Sequence, residues 1–301
     1  MKRLFLSVVV LAAVLGGCSS DEKGMEGLSN EIKVGASVYG TITKAPVVTG
    51  DPFTAAIAAF EGSAAPTWTN SPAWTNSVTL TAATEAGERV SLDISKTYPA
   101  SGKVYIAAWY PNITASKGVV NFLKTGTEDV MWGGTVDGDK TTPVGAFSFT
   151  HALTQLNFQL QATDAYLMDN TKKVTKIEVL DARNPQSMTI ADGTVTYASP
   201  EAIAVPGATE LTLTSSLQRF GEALMVKSLD AVKIKLYYDD NSSTNEIEIK
   251  DSATKDALKA EAGKSHLITL NFQKTGEVVI SATGTVAPWE IGAAGTGTIE
   301  Q

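Results

Sequence analysis

The chain has 301 residues, long enough for two domains, and is 43% hydrophobic and 19% charged, which fits a globular protein and argues against a disordered one. A net charge of −8 speaks against nucleic acid as a partner, because phosphate binding draws on a basic excess. One Cys excludes an internal disulfide framework and a Cys-rich zinc site, and two His leave little material for His-based chemistry. No cofactor or metal is expected.

At the N-terminus Lys2 and Arg3 precede an apolar run from Leu4 to Val14, broken only by Ser7. It is shorter than the ~20 residues that a spanning helix needs, so it reads as the apolar centre of a signal peptide covering residues 1–17. Leu15-Gly16-Gly17-Cys18 closes it and resembles a bacterial lipobox, in which small residues admit the peptidase and the Cys thiol takes a diacylglyceryl group. The chain's sole Cys stands at the required place, so Cys18 is the expected lipidation site; an ordinary secretory signal with an incidental Cys is the alternative. Several acyl chains on Cys18 would anchor the protein stably where one is marginal. Residues 18–30, polar and acidic after the Cys, read as a flexible tether. Ser19-Ser20-Asp21-Glu22 also resembles the surface-export signal of some bacterial lipoproteins.

From residue 31 onward, alternation with a period of two dominates. Ile32, Val34, Ala36, Val38, Gly40 and Ile42 share one face of a long strand, with Lys33, Ser37, Tyr39 and Thr43 on the other. Val90, Leu92 and Ile94 alternate in the same way, and Val104 to Tyr110, apolar on both faces, predicts a central strand. Further runs are Leu156–Leu160, Val232–Tyr238, His266–Phe272 and Val278–Val286, punctuated by turns such as Asp137-Gly138-Asp139, Asp192-Gly193 and Asp239-Asp240-Asn241. Helical stretches are few, and the best candidate is Ser252–Ala262, with Ser252 as N-cap and Gly263 as stop.

Many short strands at roughly 8–12-residue spacing predict an all-β chain of sandwich or barrel type. A sandwich uses ~100 residues, so two in tandem are expected, over residues 31–146 and 147–301. The boundary is placed before Phe147. Apolar residues sit on odd positions from Phe147 to Leu153 and on even positions from Leu156, which implies a bend or short helical turn at residues 151–155.

Four motifs then occur in order. They are Tyr98-Pro-Ala-Ser-Gly102 with Ala107-Ala-Trp-Tyr-Pro111, Phe147-Ser-Phe-Thr-His-Ala-Leu-Thr-Gln-Leu-Asn-Phe158, Ala262-Gly-Lys-Ser-His-Leu-Ile-Thr-Leu-Asn271 and Val286-Ala-Pro-Trp289. In sequence and spacing they resemble the fimbrillin family of lipoproteins, the subunits of type V pili, from about residue 31 to the end. His266 stands where that family commonly has an aromatic residue. The resemblance implies two transthyretin-like β-sandwiches in series and a non-enzymatic structural role in a fimbria. It also implies assembly by strand donation. A protease clips after the first strand, the strand leaves with its lipid, and an extended strand of another subunit fills the groove. The matching place here is Lys44-Ala45, with Lys where the family usually has Arg, and the groove-filling residues are Ile32, Val34, Ala36, Val38 and Ile42. The same residues also suit a permanent first strand, as in an anchor subunit. The expected partners are other pilin subunits, the outer membrane through the lipid, and a host or bacterial surface receptor. The expected location is the cell surface. The donor would be the chain after Trp289, although Gly292 to Gly297 suits a rigid strand poorly.

Few residues offer chemistry. No Asp or Glu lies within ten residues of His151, so it reads as a packed histidine bonded to backbone, as does His266. Asp137-Gly138-Asp139 reads as a hairpin turn and not a Ca²⁺ loop, since no late Glu follows. Trp68 and Trp74, six apart in a repeated Trp-Thr-Asn-Ser, would share a face if extended. They are either a sugar-stacking platform, which would suit a monomeric, lipid-anchored glycan- or host-binding module, or a core or edge pair. Asp251-Ser252-Ala253 resembles a short bacterial O-glycosylation site, and Ser252 as N-cap explains it equally well.

Overall fold

The computed structural model describes residues 30–38, 51–81, 89–274, 290–291 and 295–300. Cys18, Ile42, Lys44, Ala45 and the segment 278–286 lie outside the described residues. The first strands are β1 (Lys33–Val34), β2 (Ala36–Val38), β3 (Pro52–Gly62), β4 (Trp74–Thr81), β5 (Val90–Ser91), β6 (Lys103–Tyr110), β7 (Val119–Asn121), β8 (Met131–Gly138) and β9 (Phe147–His151). After the chain crosses over come β10 (Thr154–Ala162), helix α1 (Asp164–Asp169), β11 (Lys173–Ala182), β12 (Pro185–Thr189), β13 (Val195–Tyr197), β14 (Glu201–Ala204), β15 (Leu211–Thr212) and β16 (Gln218–Val226). The remaining strands are β17 (Lys233–Tyr238), β18 (Ile247–Glu248), β19 (Lys250–Asp251), β20 (Lys264–Gln273), β21 (Glu290–Ile291) and β22 (Gly295–Glu300). The protein is all-β.

The first half is built on one sheet with the order β2-β9-β8-β6-β3-β4. Ala55, Ile57 and Ala59 of β3, Val104, Ile106 and Ala108 of β6, and Phe147 and Phe149 of β9 point into its core, where Ile32, Val34, Ala36 and Val38 join them. The alternation seen in the sequence is what sends these residues to one side. As expected, β6 is central, paired with β3 on one edge and β8 on the other. The second half is a sandwich. One sheet runs β16-β10-β20-β22-β19, with β21 also on β20, and the other runs β14-β11-β17-β18, with β15 on β11. Leu156, Phe158, Leu160, Ile268, Leu270 and Phe272 of the first meet Val174, Ile177, Val179, Ile234 and Leu236 of the second. A third apolar cluster joins the two halves. It contains Ala56, Ala58, Phe60, Ala107 and Trp109 from the opposite face of β3 and β6, and Met188 and Ile190 from the β12 arm. This explains why β3 and β6 are apolar on both sides.

Three expectations are revised. Phe147–His151 closes the first sheet and does not open the second: β9 pairs with β8 and β2, and its phenylalanines fill the first core. The chain crosses at Ala152-Leu153, so the change of apolar phase marks the passage from one core to the other. Ser252–Ala262 is not helical. The Asp251 carboxylate accepts from the amides of Ala253 (2.7 Å) and Thr254 (3.0 Å), Lys255 takes a φ of +67°, Ala257 and Ala260 form isolated β-bridges, and Leu258 and Ala260 return to the core. A side chain that satisfies nearby amides in a turn competes with helix, which is why Asp at this point ends the pattern. The glycine-rich end does form a strand: β22 lies parallel to β20 and antiparallel to β19, and ladders on both sides supply the order that Gly295 and Gly297 lack intrinsically.

Candidate functional site

The candidate site is the first strand and the apolar surface it packs on. Chain direction and alternation place Ile32, Val34, Ala36 and Val38 on one side, and all four are no more than 3% exposed. The single long strand expected from the sequence is divided between two sheets within the described residues. Lys33 and Val34 pair antiparallel with Ser91 and Val90, and the Ile32 amide donates to the Lys96 carbonyl at 2.7 Å. Beyond Gly35, residues Ala36, Ser37 and Val38 pair in parallel with Phe147, Ser148 and Phe149. The Phe147 amide donates to the Gly35 carbonyl at 2.9 Å and so fixes the point of hand-over. Lys33 alone of residues 32–38 points to solvent.

Ring contacts and hydrogen bonds surround the strand. Phe53 and Phe149 stack edge-to-face at 5.1 Å, and Phe147 lies 6.2 Å from Phe149. The Tyr98 hydroxyl accepts from the Val144 amide at 2.9 Å, and the Arg89 guanidinium donates to the Val144 carbonyl. Glu31 at the strand's entrance accepts from the Ser95 hydroxyl at 3.0 Å. Its carboxyl is held below the ordinary range by hydrogen bonds from Ser91 and Ser95.

The two edges of the six-stranded sheet differ. At β4 the Asp93 amide donates to the Ser77 carbonyl at 3.0 Å, and the Asn76 side chain donates to the Ile94 carbonyl at 2.6 Å while accepting from its amide at 3.2 Å. Residues 93–94 thus cover that edge at Asn76 and Ser77, which hinders the addition of a further strand there. The other edge is β2 itself, and among the described residues no strand pairs with its outer side.

The other candidates are placed as follows. Trp68 packs edge-to-face on Phe60 at 5.0 Å, against the third cluster. Trp74 packs against the first core and donates its indole N–H to Glu61 at 3.0 Å. The two indoles lie on opposite faces of the sheet, because the stretch between them turns before β4 begins, so no shared stacking platform forms. His151 does not bond to backbone through Nδ1. It meets the Asp129 carboxylate at 2.9 Å, with side-chain exposures of 1% and 0%. Asp129 lies 22 residues upstream, and only the β8–β9 pairing brings it close. Sealed from solvent, the pair cannot reach a substrate. Asp139 accepts from Thr141 and Thr142 within the hairpin turn. Among the described residues there is no group of three or more His, Cys, Asp or Glu that could hold a metal.

A family profile described as fimbrillin-like matches residues 43–289, and the chain belongs to that family. The matched region begins after the described part of the first strand. No curated protein matches the chain. Among solved structures, a candidate cell adhesion protein from Bacteroides uniformis shares 18% identity over 80% of this chain and 93% of its own, with a TM-score of 0.51. That likeness concerns the fold. A candidate cell adhesion protein from Bacteroides ovatus shares 11% over 80% of this chain and 91% of its own, at a TM-score of 0.42. A fimbrial anchor protein from Porphyromonas gingivalis shares 13% over 72% and 81%, at 0.38.

Proposed function

We propose that the chain is a non-enzymatic structural subunit of a cell-surface fimbria, made of two transthyretin-like sandwiches that divide between His151 and Thr154. It is exported as a lipoprotein acylated on Cys18 and held at the outer membrane. Cleavage between Lys44 and Ala45 then frees the first strand, and a strand from another pilin subunit takes its place. The fimbria so built presents the protein to a host or bacterial surface receptor.

The observation that carries this reading is the first strand: Ile32, Val34, Ala36 and Val38 are buried in the core, yet β2 lies at an edge of its sheet with no strand beyond it among the described residues. Burial of Ile32, Val34 and Val38 contributes roughly 1.5–3 kcal/mol each. A domain is stable by only about 5–15 kcal/mol, so an emptied groove strongly favours refilling. An added strand supplies both the main-chain ladder and the alternate side chains that the groove needs.

The test is the N-terminal residue of the protein isolated from cells. Free Ala45 in fimbriae and acylated Cys18 in the precursor support the reading. A mature chain that always begins upstream of residue 30 and carries no acyl group overturns it.

A further inference from the structure

We infer that the β12–β13 hairpin is a clamp that makes the two halves one cooperative unit, so that displacement of one sheet is transmitted to the other and not absorbed at the crossing. This holds whatever fills the first groove. The covalent link, Ala152-Leu153, is two residues long. By itself it would leave the halves free to reorient, as adjoining domains usually do.

Three kinds of contact oppose that freedom. The first is a strand ladder between the halves: Ser187, Met188 and Thr189 of β12 pair antiparallel with Asn121, Val120 and Val119 of β7. It is extended by the Phe122 amide donating to the Gln186 carbonyl and the Ile190 amide donating to the Gly118 carbonyl, both at 3.0 Å. Hydrogen bonds in a ladder are directional, so they set an angle that apolar contact alone would let slide.

The second is the third apolar cluster, in which Met188 and Ile190 pack on Phe60, Trp109 and Val120. The third is the hairpin tip. Gly193 has a φ of +73°, and a Cβ there would lie 2.5 Å from Cδ2 of Trp132. The tip therefore rests directly on the indole, whose N–H donates to the Ile190 carbonyl at 3.3 Å. At the hairpin's far end the Tyr197 hydroxyl donates to the Ala152 carbonyl at 3.2 Å, pinning the crossing itself.

The test is urea unfolding of the full chain with a probe for each half. Pulsed hydrogen exchange of β3 and β6 reports the first half, and that of β11 and β20 the second. In the wild type the two probes should trace one coincident transition. Gly193→Ala should separate them and raise amide exchange across residues 186–196 by about tenfold or more, the factor for a lost packing contact of ordinary size.

An Ala at 193 also strains the backbone, so Trp132→Ala is the second variant and should separate the transitions as well. In the Trp132→Ala background, Gly193→Ala should have a smaller effect than in the wild type, since the indole it strikes is gone. The clamp is overturned if the wild type unfolds in two steps. It is equally overturned if both single variants keep one coincident transition, or if the effect of Gly193→Ala is undiminished without Trp132.

Discussion

Ala36 lies beside Phe147 in parallel register, one residue beyond the point where the Phe147 amide holds the Gly35 carbonyl. This pair joins the smallest side chain on the buried face of the first strand to one of the largest in the core. Val38 lies beside Phe149 in the same register, so the two phenylalanines of β9 flank the buried face of the first strand at alternate positions.

Val34→Asp should destabilise the uncleaved chain by about 3–5 kcal/mol, because it buries a charge with no partner among apolar neighbours. Lys33→Asp, one residue away and exposed, should change stability by no more than about 0.5 kcal/mol. Urea midpoints of the two variants provide the comparison, and equal losses would show that the buried face of the strand is not what holds it.

How much of this was legible in the sequence depends on the range of the interaction. Alternation is local, so the buried face of residues 32–38, the central position of β6 and the all-β class could be read directly. Parallel pairing of β2 with β9 joins residues more than a hundred positions apart, and nothing local records it. The same holds for His151, whose partner Asp129 is outside any window a motif search would use. The boundary was misplaced because the phase change after Leu153 marks where the chain changes core, one strand later than the apolar run suggested. The third cluster was only half legible: Val104 to Tyr110 read as apolar on both faces, but nothing local said what covers the second face, and β3 beside it was not among the runs expected from the sequence. Helix α1 is only six residues long and rests on its Thr163 cap and the buried Tyr166, so no period could show it.

Asp129→Ala should cost about 1–3 kcal/mol, since it removes the carboxylate that meets His151 Nδ1 where both side chains are buried. Asp129→Asn keeps an acceptor at that position and should retain most of the stability. The comparison is again by urea midpoint. An Ala variant as stable as wild type would mean that the pair contributes nothing to the fold.

The turn after β17 should titrate in strong acid. Hydrogen bonds from the Ser242 hydroxyl and amide, with the Lys172 ammonium beyond them, lower the Asp240 carboxyl from 3.8 to about 2. A carboxyl lowered by folding contributes stability above its unfolded value, and that contribution is lost as pH falls from about 3.8 towards 2. Asp240→Asn should lack this part of the acid dependence, so its stability should fall less steeply than that of the wild type over the same interval. Carboxyl chemical shifts followed by NMR measure the titration directly, and a midpoint at the ordinary value would contradict the assigned contacts.

The strand-donation account is tested most directly by controlled cleavage. The purified, unlipidated precursor is treated with a Lys-specific protease, cleavage after Lys44 is verified by mass, and the product's size is followed by light scattering and non-denaturing gels as concentration rises. The account predicts that cutting at this site converts a stable monomer into a ladder of polymers, that Lys44→Ala blocks the conversion, and that the N-terminal fragment ending at Lys44 leaves the complex as the polymers form. A cleaved chain that has released the fragment and still stays a stable, soluble monomer at high concentration would contradict it.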